Sequence, residues 1–89
     1  MSDEKLARAI RARSRRKILK ILCNKQRASV HEIAKELNMS ESLASRHLKL
    51  LYDLKLVDQK SEPPEKFYFL RIKKLKQLLK IYEEVIKEI

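Results

Sequence analysis

Between Ser40 and Leu54 the chain sets Ser42, Ser45, Arg46 and Lys49 against Leu43, His47, Leu48, Leu51 and Leu54. Steps of three and four residues put each set on its own face of a helix. The polar face carries hydroxyls near its start and cations one and two turns in. Hydroxyls and guanidinium groups so spaced donate hydrogen bonds to phosphate oxygens and to base edges in a major groove. Ser40 reads as the N-cap, its hydroxyl accepting from an unpaired first-turn amide. The same pattern fits an ordinary amphipathic helix with a solvated outer face, so the flanking elements decide between the two.

The elements just before it favour a nucleic-acid surface. Ser29-x-x-Glu32 predicts a capping box and a helix over residues 30–37, buried along Val30, Ile33, Ala34 and Leu37. Asn38 tolerates a left-handed stop. Asn38, Met39 and Ser40 then form a three-residue turn, and small Ala34 sits where the two helices cross. That is a helix-turn-helix.

The chain has 89 residues, enough for one small domain with a modest core. Its net charge of +10 calls for a polyanionic partner: DNA, RNA or an anionic membrane surface. From Met1 to Arg27, ten Lys and Arg stand against Asp3 and Glu4. Aromatic residues make up 6%, with no Trp, which disfavours stacking on single strands. Glycine is absent, so no glycine-rich phosphate loop exists. One cysteine, Cys23, forms no disulfide within the chain and suggests a cytoplasmic location. It reads as a small hydrophobe on the second helix. No apolar run is long enough to span a membrane.

Residues 1–4 are expected to fray. Lys5 to Asn24 reads as helix in two pieces, with Leu6, Ala9 and Ile10 on one apolar face and Ile18, Leu19 and Leu22 on the next. Ser14 lies between the pieces as a cap for the second. Arg15 and Arg16 are assigned to phosphate contacts, the alternative being a solvated basic face. Residues 24–28 read as a turn. After Lys55, residues 56–61 read as a strand, 61–66 as a proline-containing turn and 67–71 as a second strand. This hairpin lies where a wing would sit. Either Lys60, Lys66 and Arg71 meet phosphate or minor groove, or the hairpin only covers the core.

Residues 72–89 read as the last helix. Ile72, Leu75, Leu79, Tyr82, Ile86 and Ile89 form an a/d seam, widened to one side by Leu78 and Val85. So much apolar surface on one terminal helix calls for a second copy, the alternative being a helix folded back on its own core, and Leu6 and Ile10 are assigned to the same dimer interface. The expected architecture is mainly α with a small β-hairpin. Residues 1–71 form a winged helix-turn-helix DNA-binding unit, and 72–89 a C-terminal dimerisation helix within the same compact domain.

RSRRKILKIL (13–22), VHEIAKELNMS (30–40), ESLASRHLKLLYDLKLV (41–57) and FYFL (67–70) resemble the ArsR-type family of transcription regulators. The most specific piece is S-x-S-x-x-S-R-H-L-K-x-L at residues 40–51. The resemblance implies a homodimer on a pseudo-palindromic operator, with Ser42, Ser45 and Arg46 at bases or nearby phosphates. It also implies that His47 packs beneath the helix or touches backbone. Many members of the family sense metals through cysteines near the helix before the turn, or through carboxylate–histidine pairs on the last helix. Here the first place holds Val30, His31, Glu32 and Ile33, and the last helix has no histidine or aspartate. No metal and no cofactor is therefore expected. Lys55 stands where the family usually has glycine.

The expected function is a sequence-specific double-stranded DNA-binding transcription regulator, a repressor by preference. Ser40, Ser42, Ser45, Arg46, Lys49, Arg15, Arg16, Lys60 and Lys66 form its DNA-binding set. The alternative within the same partner class is an architectural, chromatin-like protein with little sequence preference. A protein-interaction module using the last helix is a third reading, disfavoured by the basic N-terminus. An enzyme is disfavoured because no paired carboxylates, activated nucleophile or metal cluster has a usable spacing.

Overall fold

The computed structural model describes residues 2–89. Five helices and a three-stranded antiparallel sheet follow one another as α1 (Ser2–Arg11), α2 (Arg13–Asn24), β1 (Ala28–Ser29), α3 (Val30–Leu37), α4 (Glu41–Asp53), β2 (Val57–Glu62), β3 (Glu65–Leu70) and α5 (Leu75–Glu88). The sheet order is β1-β3-β2. The fold is a winged helix-turn-helix with a C-terminal helix, as the sequence pattern predicts.

The helix-turn-helix is set by local chemistry. Ser29 Oγ accepts from the Glu32 amide at 3.1 Å, and the Glu32 carboxylate accepts from the Ser29 amide at 2.9 Å. That backbone donor holds the Glu32 carboxyl below the ordinary carboxylate range. Ser40 Oγ accepts from the Leu43 amide at 3.0 Å, which starts α4. Both helices end in the same way. The Met39 amide donates to Ala34 O and the Leu56 amide to Leu51 O, each 3.0 Å, with Asn38 (φ 54°) and Lys55 (φ 70°) left-handed before them. These are Schellman caps, in which the left-handed residue is usually glycine. Asn carries that conformation cheaply; lysine does not.

Lys55→Gly is therefore expected to stabilise the chain by about 0.5–1 kcal/mol, the relieved strain being partly offset by a looser unfolded chain. A higher denaturant midpoint at unchanged slope checks this, with Lys55→Ala as the variant that keeps the strain.

One core unites the layers. Ile18 and Leu19 of α2, Ile33 of α3, and Ala44, Leu48 and Leu51 of α4 have no exposed surface. Tyr68 and Leu70 of β3 and Leu75 and Leu79 of α5 close it. Cys23 is half-buried on α2, and burial pushes its thiol pKa up.

Several boundaries differ from the expectation. Helix α1 is already formed at Ser2. The break between α1 and α2 falls at Ala12, which is extended (φ −87°, ψ 131°), and Ser14 caps nothing. Arginine side chains from the next helix do that work instead. Arg15 donates to Ala9 O (Nε, 3.1 Å) and Arg8 O (Nη2, 2.7 Å). Arg16 Nη1 donates to Ile10 O and Arg11 O. The segment after α2 contains β1, whose Ala28 and Ser29 pair with Tyr68 and Phe67. The hairpin turn is only Pro63 and Pro64, with Glu62 opposite Glu65. Helix α5 begins at Leu75, after a turn at residues 73–74.

Candidate nucleic-acid interface

Helix α4 buries Ala44, Leu48 and Leu51, while Leu43 and His47 are half-buried at the edges of that stripe. Ser42, Ser45, Arg46 and Lys49 are all exposed, as is Ser40 at the cap. The predicted polar face thus stands free of the core along the length of the helix.

The strand register sorts the wing lysines. Lys66 pairs with Ser61, two steps along the ladder from the Gln59–Tyr68 pair, so it shares a sheet face with buried Tyr68. It lines a notch with His31 of α3, Glu41 and Ser45 of α4, and Pro64 of the hairpin turn. Lys60 pairs with Phe67 and lies on the other sheet face, 3.7 Å from Glu62. The structure brings Lys66 to α4 and leaves Lys60 apart from it.

No local sequence pattern marks what holds the hairpin. Arg27 donates to Glu62 at 2.8 Å and lies 4.0 Å over the Phe67 ring. The Arg27 hydrogen bond keeps the Glu62 carboxyl below its ordinary range. Glu62 thus serves as an anchor for Arg27.

Arg15 and Arg16 point to different places. The charge of Arg15 helps to lower the His47 pKa on α4. Burial, then Arg11 and Arg8, lower its own pKa from the usual arginine value. Arg16 lies 5.0 Å over the Tyr82 ring of α5. With its donors on the end of α1, Arg16 is a bracket joining α1, α2 and α5, and the geometry does not group it with α4.

The dimer residues divide as well. Leu75 and Leu79 are 3% and 4% exposed within the single chain, so they pack its own core and have almost no surface left for a second copy. Tyr82 is half-buried under Arg16. The outward apolar residues are Ile81 (58% exposed), Val85 (53%) and Ile89, with Leu78 half-buried beside them; of these only Ile89 belongs to the expected seam. Ile72 and Ile86 are exposed too, at 39% and 46%. Leu6 of α1 lines one groove with Ile72, Leu75 and Leu78. Ile10 is half-buried against the core.

Burial first, then the charges of Arg15 and Arg46, push the His47 pKa below 6.5. An unfolded histidine takes up a proton near that value, while folded His47 resists it. Stability should therefore fall as pH drops below 6.5 and level off once folded His47 also protonates. Chemical denaturation across that range should show this slope in the natural chain and a flatter one in His47→Gln.

Among the described residues, no three His, Cys, Asp or Glu side chains lie close enough to hold a metal ion. Among them too, no helix is long and apolar enough to cross a membrane.

A family model described as "Bacterial regulatory protein, arsR family" matches residues 13–59. HlyU from Vibrio vulnificus, a transcriptional regulator, is similar at 30% identity over 93% of this chain and 85% of its own, with a TM-score of 0.68. Mb0332 from Mycobacterium bovis, solved as a homodimeric winged helix-turn-helix DNA-binding domain, is 23% identical over 98% of this chain and 80% of its own (TM-score 0.84). The transcriptional repressor PagR of Bacillus anthracis is 22% identical over 91% and 92% (TM-score 0.79). At these lower identities the likeness concerns the fold. No curated protein sequence matches the chain.

Proposed function

The chain belongs to the arsR family of bacterial regulatory proteins and is a DNA-binding transcription regulator, and we propose that it is a homodimeric repressor acting on a pseudo-palindromic site in the cytoplasm. One observation carries the proposal. Helix α4 presents Ser42, Ser45, Arg46 and Lys49 outward, while α5 presents an apolar flank, Ile81 and Val85, that none of the described residues covers. The first is a surface for DNA; the second is a surface for another copy. A two-fold axis through α5 sets two recognition helices into successive major grooves about 34 Å apart.

Within this assembly Ser42, Ser45 and Arg46 read base edges or adjacent phosphates. Ser40, Lys49, Lys66 and Arg15 hold phosphate and set register, and Lys60 adds charge from the outer side of the wing. Residues 72–89 act as the dimerisation segment of one compact domain, with Leu6 and Ile10 at its edge. Occupancy of a promoter by such a dimer blocks transcription without any further contact. PagR, described as a repressor, has the same fold.

Selection of bound sequences from a random duplex pool, with the salt dependence of the winner's affinity, tests the proposal. An enriched inverted repeat bound about a thousand-fold over random duplex is the expected result. Tight coating with a steep salt slope and no motif would overturn it in favour of an architectural protein. A site placed over a promoter in a transcription assay then tests repression.

A further inference from the structure

Two carboxylates of the wrong sign line the notch on the DNA-facing side, Glu65 of the hairpin and Glu41 of α4. Glu41 is the first residue of α4, and its side chain is 62% exposed. It stands between Ser40 and Ser42, on the lip of the notch that also holds Ser45 and Lys66. Recognition helices bring their N-terminal residues to base edges. A carboxylate there repels phosphates and accepts hydrogen bonds only. In a chain of net charge +10 it weakens general DNA affinity.

Glu41 is also held in place. His31 Nδ1, from α3, lies 2.9 Å from Glu41 Oε2 and donates to it. The bond crosses the turn of the helix-turn-helix and occupies one carboxylate oxygen. The other oxygen, Oε1, remains available as an acceptor on a largely exposed side chain.

We propose that Glu41 is a specificity-determining residue that accepts a hydrogen bond from the exocyclic amine of a cytosine in the major groove, with His31 as its positioning residue. Cytosine is the base whose major-groove edge offers a donor without an acceptor beside it. Adenine pairs its amine with the N7 acceptor, and guanine and thymine present oxygen acceptors there. A carboxylate is satisfied by the first and repelled by the rest. The inference rests on the sequence-specific reading above and names one base of its site.

A carboxylate in the first turn also favours the helix dipole. That effect alone changes no base preference, and the experiment uses this difference. Duplex selection is run on the natural chain, on Glu41→Gln and on His31→Ala, with thermal unfolding of each. The natural chain should enrich a cytosine at one position in each half-site. Glu41→Gln should lower that preference by about fivefold or more, shifting it toward bases with an acceptor edge. The base set by Arg46 should stay unchanged, and binding to random duplex should tighten. His31→Ala should weaken the cytosine preference at the same position only, with an unfolding temperature close to that of the natural chain. A motif that survives Glu41→Gln unaltered overturns this inference and leaves the regulator reading intact. No motif in the natural chain overturns both. A His31→Ala motif identical to the natural one removes the positioning role.

Discussion

Arg46→Ala should lose operator preference by about 1–3 kcal/mol, while Lys66→Ala should weaken operator and random duplex alike. The two residues face the same side of the molecule but offer different chemistry. Arg46 is exposed one turn into α4, the helix proposed to enter the groove. Its planar fork matches the two acceptors of guanine, and the missing pair is felt only at the right base. Lys66 sits on the hairpin and presents a point charge. Its loss removes about one phosphate contact and flattens the salt slope by about one. The fold should survive both changes, because neither side chain is in the core. Affinity for operator and for random duplex, each over a range of salt, separates the outcomes. Equal losses on both duplexes from Arg46→Ala would show that it holds phosphate and reads no base.

The parts of this site legible from sequence are those fixed by neighbours in the chain. Ser29 with Glu32, Ser40 with Leu43, and Asn38 at the helix stop all act within a few residues, and all appear in the structure as the sequence predicts. The outward set on α4 follows from one helical period. What escaped the sequence depends on distant partners. Strand β1 is two residues long and exists because β3 lies beside it. The α1–α2 break is closed by long arginine side chains, which carry no cap signature, so Ser14 was a false lead. Arg27 acquires its role only when Glu62 and Phe67 are brought to it.

Helix α5 shows the limit most clearly. Leu75, Leu79, Tyr82 and Ile86 step by four, three and four; Leu78, Ile81, Val85 and Ile89 step by three, four and four. Both rows satisfy the same periodicity. Which row enters the chain's own core depends on where α2 lies, and the structure gives that place to Leu75 and Leu79. The row left outside is the one available to a second copy.

That division yields the second large effect. Val85→Glu should leave the single chain folded and abolish the dimer. Val85 is 53% exposed, so a carboxylate there is solvated in the isolated chain. In a two-fold apolar seam it would be desolvated opposite its own copy, at a cost of several kcal/mol. A monomer engages one half-site at a time and loses the effective concentration that the linked second half provides. Affinity for the inverted repeat should fall by about a hundred-fold or more, while affinity for a single half-site should change little. Leu79→Ala provides the contrast. At 4% exposure its side chain is core, so its removal should cost about 2–5 kcal/mol of folding stability. Sedimentation mass, thermal unfolding and binding to whole and half sites together distinguish the cases. A Val85→Glu protein that stays dimeric would move the seam off this face of α5. A monomer that binds the whole repeat as tightly as the natural chain would remove dimerisation from the recognition mechanism.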